Sequence, residues 1–169
     1  YTYVLRSNLS LNQAVFMEGC SGANLDILAR SAVWAHGIDY RCGTGHGVGF
    51  FGAIHEGPHS MRVTNTVPFV PGMLVTDEPG IYEEGCVGIR IENELLCVER
   101  METAYGRFYG FDAVTFCPID VTPVLPELLG QEQIDSLNAY HEKVYRELSP
   151  MLNQEECQWL KSKTAPIGK

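Results

Sequence analysis

Between positions 76 and 94 the chain reads Thr76-Asp77-Glu78-Pro79-Gly80-Ile81-Tyr82-Glu83-Glu84-Gly85-Cys86-Val87-Gly88-Ile89-Arg90-Ile91-Glu92-Asn93-Glu94. Met73 to Asp77, behind the turn residues Pro71-Gly72, predicts a short strand. Val87 to Val98 predicts a longer one, with Val87, Ile89 and Ile91 on one face and Arg90, Glu92 and Glu94 on the other. Alone, that polar face reads as the solvated side of a half-exposed strand. A hairpin across Glu83-Glu84-Gly85-Cys86 changes the reading, because it brings Glu78 alongside Glu92. Two carboxylates held close cannot both stay ionised unless a cation or a proton intervenes. A divalent ion would resolve the conflict, and Arg90 could hold one carboxylate in orientation.

Upstream lies Cys42-Gly-Thr-Gly-His46-Gly-Val-Gly49, followed by His55-Glu-Gly-Pro58. Glycine lets backbone pass close to a ligand or another strand. A straight strand would put His46 and His55 on opposite faces, and a bend at Gly49 and Gly52 would let both approach one pocket. His36 and His141 lie on predicted helices without acidic companions and read as packing residues; His59 reads as a loop residue. Cys42 beside His46 allows a thiol nucleophile, but no Asn or Asp signal accompanies it, so a packed or hydrogen-bonding thiol is expected. The glycines lack the following helix of a dinucleotide loop. His46, Glu78 and Glu92 as ligands suit manganese, zinc, cobalt or iron better than copper(I). A clamp of two ions bridged by carboxylates needs more anionic ligands than these three.

Further out, residues 2 to 16 predict a helix with Val4, Leu5, Leu9 and Val15 inward. Ser21 caps a second helix, with Leu25, Leu28, Ala29, Ala32 and Val33 at helical spacing and Gly37 as its stop. Tyr40 to about Ile54 predicts strands joined by tight backbone. A last strand is expected near Thr115 to Asp120, ending at Pro118, and Pro123 and Pro126 mark a linker. Ile134, Leu137, His141, Val144 and Leu148 share a helical face that Pro150 ends, and a short helix follows around Gln154 to Lys161. Helices first, strands in the middle and helices last give an α+β layout.

The chain has 169 residues, 45% of them hydrophobic and 20% charged. Its net charge of −9, from 12 basic and 21 acidic side chains, disfavours nucleic acid as a partner. No apolar run is long enough to span a bilayer, so no membrane partner is expected. Six scattered cysteines lack zinc-finger spacing and read as free thiols of a cytoplasmic protein. The start, Tyr1-Thr2-Tyr3, carries no initiator Met or signal-peptide pattern, which predicts a piece of a longer protein.

The motifs Gly-Thr-Gly-His46-Gly-Val-Gly, His55-Glu-Gly-Pro, Asp77-Glu78-Pro-Gly-Ile-Tyr82 and Gly-Ile-Arg90-Ile-Glu92-Asn93 together resemble the Xaa-Pro aminopeptidase (aminopeptidase P) family. That family belongs to the pita-bread metallopeptidases, with prolidase and methionine aminopeptidase. The likeness extends over Glu18 to Arg30, over Phe111 to Ile119 as a closing strand, and over Glu156 to Lys161 with Pro166-Ile167 as a C-terminal extension of the cytosolic type. It implies the C-terminal portion of a pita-bread fold: a curved, mostly antiparallel sheet with flanking helices. Residues 1–122 would close the catalytic domain and 123–169 would form the helical extension.

The resemblance further implies two divalent metal ions, manganese or zinc, held by two aspartates, one histidine and two glutamates. His46, Glu78 and Glu92 match the last three. Glu78 matches the glutamate that handles the proton of the attacking water, and His55 matches a histidine that binds substrate or stabilises the tetrahedral intermediate. Cys42, His55 and Arg90 would surround the substrate. The aspartate pair would precede Tyr1, since Asp26 and Asp39 sit in another context. Family members often carry histidine where this chain has Cys42, at the proline side of the pocket. The implied partner is a peptide with proline in second place, and a homodimer is compatible with the family's C-terminal region. The 169 residues alone would be inactive, binding one ion weakly or none. The competing readings are prolidase or methionine aminopeptidase, and a non-catalytic peptide- or protein-binding module on the same fold.

Overall fold

In the computed structural model, which describes residues 1–168, helix α1 (Thr2–Asn12) buries Val4, Leu5, Leu9 and Leu11. It is shorter than its periodicity predicts. Val15 leaves the helical face, is 54% exposed, and starts strand β1 (Val15–Met17), whose one inward side chain is Phe16. Pairing of Val15 with Gly110 and of Met17 with Phe108 overrides the local helical preference. Helix α2 (Gly22–Trp34) starts at Ser21, whose N–H donates to Asn24 Oδ1 at 2.9 Å. Leu25, Ala29, Ala32 and Val33 face inward, whereas Leu28 lies at the exposed margin. Gly37 supplies the expected stop with φ +70°, a conformation that favours residues without a Cβ.

The remaining strands are β2 (Gly45–His46), β3 (Ser60–Met61), β4 (Leu74–Asp77), β5 (Gly80–Glu83), β6 (Val87–Arg90), β7 (Asn93–Thr103) and β8 (Gly106–Ala113). A four-stranded sheet runs β1-β8-β7-β4, every pair antiparallel. The strand expected from Val87 to Val98 is broken at Ile91-Glu92 into β6 and β7. The strand expected at Thr115 to Asp120 is not formed. The last strand is β8, a hairpin partner of β7 that overlaps the closing strand expected at Phe111 to Ile119 only over its last three residues. Between Tyr40 and Ile54 only β2 is a strand, the rest being irregular. Beneath the sheet Phe16, Phe69, Tyr109 and Phe111 pack as an aromatic cluster, with the Phe16 and Phe111 ring centroids 5.1 Å apart.

The chain divides into two compact units, Tyr3–Thr115 and Phe116–Lys169 with Tyr1–Thr2. The second holds α3 (Gln131–Leu148) and α4 (Gln154–Lys163). Ile134, Leu137, His141 and Val144 are buried along α3, as their spacing predicts. Asn153 and Glu156 cap α4 reciprocally. Asn138 clamps Ile167 through both backbone groups, at 3.1 and 2.9 Å. All six cysteines are unpaired. No described helix is long and apolar enough to cross a membrane.

Candidate metal centre

The site grows out of one register. β4 pairs with β7 so that Asp77 faces Asn93, and β5 pairs with β6 so that Gly80 faces Arg90. Both ladders obey the same offset, and Glu78 and Glu92 stand opposite each other at the gap between them. The hairpin inferred from the sequence is therefore present, with its interruption at the two carboxylates. Strand β2 crosses close by. A Cβ on Gly45 would lie 1.7 Å from the Thr76 carbonyl oxygen, so only glycine permits this approach. The Glu78 N–H donates to the Thr44 carbonyl at 2.7 Å, tying the two segments together.

His46 and Glu78 meet there. His46 Nε2 lies 3.1 Å from Glu78 Oε1, with both side chains largely buried. His46 Nδ1 lies 2.9 Å from the Gly47 carbonyl, which can only accept, so Nδ1 carries the proton. In the neutral ring Nε2 is then a bare lone pair facing a carboxylate oxygen. Two acceptors at that distance repel unless a proton or a cation stands between them. The separation matches two neighbouring donors that each sit about 2.1 Å from one ion. The donor set thus fits a divalent cation, with Nδ1–H fixing the ring as such ligands require.

Around this pair, Arg90 Nη1 donates to Glu78 Oε2 at 2.8 Å. Thr76 Oγ1 donates to Glu78 Oε1 at 3.0 Å and accepts the His46 N–H at 3.0 Å. Glu92 is exposed, but its carboxyl is pushed above the usual range. Burial contributes most, then the Glu78 charge, with Arg90 and His46 pulling the other way. Glu92 therefore shares a field with His46 and Glu78 without joining them in one cluster. Among the described residues no three imidazole, thiol or carboxylate groups stand close enough to hold an ion unaided.

His55 returns to His46, as the bend at Gly49 and Gly52 allows. The chain folds back through Gly49 N–H to Ala53 O at 2.8 Å and Glu56 N–H to Gly47 O at 2.9 Å, with φ +82° at Gly52. The two rings sit edge to face with centroids 3.8 Å apart. They line a cavity of about 250 Å³ with Glu56, His59 and Arg62. A larger one, about 590 Å³, lies on the α3–α4 unit and holds no imidazole or thiol. His59 is not a free loop residue: it is buried, and its Nε2–H donates to the Leu74 carbonyl at 2.7 Å. The Cys42 thiol is half-buried, 3.8 Å from the Gly80 carbonyl.

A scaffold absent from the sequence reading holds the segment before β2. The Arg30 guanidinium donates to Asp26 Oδ2, to Asp39 Oδ1 and the Tyr40 carbonyl at 3.0 and 2.7 Å, and to the Cys42 carbonyl at 3.0 Å. Asp26 also accepts the Thr44 hydroxyl. Asp26 and Asp39 are committed to Arg30. The only sequence signal for this network was an Asp–Arg pair four residues apart on a helix.

Residues 1–99 match metallopeptidase family M24, and residues 107–167 match the C-terminal region of peptidase M24. The chain is 46% identical over 176 residues to aminopeptidase P2 of Arabidopsis thaliana, covering 100% of this chain and 25% of that protein. It is similar to the crystal structure of X-prolyl aminopeptidase from Caenorhabditis elegans, described as a cytosolic enzyme with a di-nuclear active site. The TM-score is 0.91 at 37% identity, over 98% of this chain and 28% of that one. Against the Xaa-Pro dipeptidase from Bacillus anthracis the TM-score is 0.54 at 31% identity, over 69% of this chain and 30% of that one. The chain spans about a quarter of the length of its relatives, 25% and 28% in the first two cases.

Proposed function

The chain belongs to metallopeptidase family M24, its α+β layers forming the C-terminal portion of the pita-bread fold, and on that premise we propose that the protein is an Xaa-Pro aminopeptidase. It hydrolyses the peptide bond between an N-terminal residue and a following proline. One observation carries this reading: His46 Nε2 and Glu78 Oε1, both on largely buried side chains, meet at 3.1 Å while His46 Nδ1 is committed to the Gly47 carbonyl.

His46, Glu78 and Glu92 would hold one side of a centre of two divalent ions, manganese or zinc. When bound, such ions would polarise the scissile carbonyl and lower the pKa of a coordinated water. Arg90 fixes Glu78 from the side away from His46 and balances the charge it shares with Glu92. Glu78 takes up the proton of the attacking water. His55, edge-on to His46 at the cavity mouth, donates to the developing oxyanion. Cys42 presents a smaller surface on the proline side than an imidazole would. The C. elegans relative is cytosolic by description, and a cytoplasmic setting suits six unpaired thiols here.

The curated relatives that match the chain over its whole length are aminopeptidases P, which favours the aminopeptidase over a prolidase. Retention of His46, Glu78 and Glu92 disfavours a non-catalytic binding module. The full-length gene product, supplied with manganese, is expected to release arginine from Arg-Pro-Pro and to cleave that peptide better than the Gly-Pro dipeptide. His46→Ala is expected to lower kcat/KM at least about 100-fold. Undiminished turnover by that variant would overturn the assignment.

A further inference from the structure

Thr76 links the two side chains that face each other, and nothing in the motif reading singled it out. It lies on β4, directly before Asp77, and is 3% exposed. A threonine hydroxyl has one proton to give and lone pairs to receive. Here the proton goes to Glu78 Oε1 and a lone pair takes the His46 N–H, both at 3.0 Å. The backbone of one proposed ligand and the carboxylate of the other are thus tied to a single oxygen atom. The bonded carboxylate oxygen is also the one facing His46 Nε2, while its twin is held by Arg90. Arg90 supplies charge; Thr76 aims the oxygen. The Thr76 carbonyl in turn fills the space where a side chain on Gly45 would stand, so the strand carrying His46 rests on this same residue.

We propose that Thr76 is a positioning residue that sets the spacing of His46 Nε2 and Glu78 Oε1 and thereby the affinity of the centre for divalent ions. The inference rests on the metallopeptidase reading above. A role confined to strand packing makes the opposite forecast, because Thr76→Val keeps the branched shape and removes only the hydroxyl, whereas Thr76→Ser keeps the hydroxyl and removes the methyl.

The test uses the full-length gene product, stripped with chelator and titrated with Mn2+ by calorimetry, with circular dichroism as a check of folding. Thr76→Val is expected to bind Mn2+ about 10–100-fold more weakly than wild type. Thr76→Ser is expected to stay within about threefold, since it preserves both hydrogen bonds. In turnover the valine variant should lose kcat with little change in KM at saturating metal. If the valine variant does not fold, Thr76→Ala reads the missing hydroxyl in the same way. Wild-type affinity in the hydroxyl-free variants, with affinity lost in His46→Ala, would overturn the role of Thr76 alone. Wild-type affinity in His46→Ala would overturn the metal reading and the inference with it.

Discussion

At the scale of single residues, the segment that carries His46 is held by polar contacts, and Arg30 shows what they are worth. Its side chain is 9% exposed and its fork reaches Asp26, Asp39 and two backbone carbonyls. Removing it leaves the fully buried Asp26 without its counter-charge, which is strongly destabilising. Arg30→Met is expected to lower unfolding free energy by about 3–5 kcal/mol in urea titrations. Arg30→Lys should recover only part of the loss, because an ammonium cannot span the same four acceptors. A Met variant as stable as wild type would show that the network is dispensable. The meeting of His46, Glu78 and Arg90 was legible in the sequence because their chemistry is uncommon among glycines and on a strand. Thr76, Thr44 and Asp26 were not. Their contribution depends on which backbone atom passes within 3 Å, and that is decided by tertiary contact rather than by local spacing.

At the scale of elements, the regular amphipathic stretches α2 and α3 were readable, and so was the hairpin that sets Glu78 opposite Glu92. Two errors share a cause. β1 was taken as a continuation of α1, and β8 was placed too far along the chain, from Phe111 onward or near Thr115. In both, pairing with a distant strand outweighs a weak local pattern. In β8 the inward Tyr109, Phe111 and Ala113 alternate as a strand should, but Gly106, Gly110 and Asp112 dilute the signal. The α3 element also carries a titration. His141 is fully buried, and its Nε2 accepts the Ile119 N–H at 3.1 Å. Burial holds its pKa below the ordinary histidine value. The unfolded chain therefore binds a proton below about pH 6.5 that the folded chain resists. This contribution to stability is fully present above that pH and is lost as pH falls, at up to about 1.4 kcal/mol per pH unit. Urea midpoints at pH 7.5 and 5.5 should fall more steeply for wild type than for His141→Gln, which keeps an acceptor for Ile119 but does not titrate. Equal slopes would place the acid sensitivity elsewhere.

At the scale of the whole molecule, composition and charge narrowed the class of partner but did not reach the chemistry, which came from four short motifs taken together. Charge arithmetic then constrains what the 169 residues can do. The candidate centre offers one imidazole and two carboxylates, and Arg90 already offsets part of the anionic charge through its bond to Glu78. Two divalent ions close together repel strongly unless several carboxylates bridge and flank them. With these donors a second ion has too little negative charge to stay, and a first ion is held by His46 and Glu78 with Glu92 only nearby. The 169-residue chain by itself is therefore expected to take up no more than one equivalent of Mn2+, weakly, and to release no arginine from Arg-Pro-Pro at any manganese concentration. Calorimetry and the peptide assay on the purified chain check the two statements separately. Uptake of two equivalents would mean that donors outside His46, Glu78 and Glu92 complete the centre. Robust turnover would mean that the chemistry needs fewer anionic ligands than a bridged pair of ions requires.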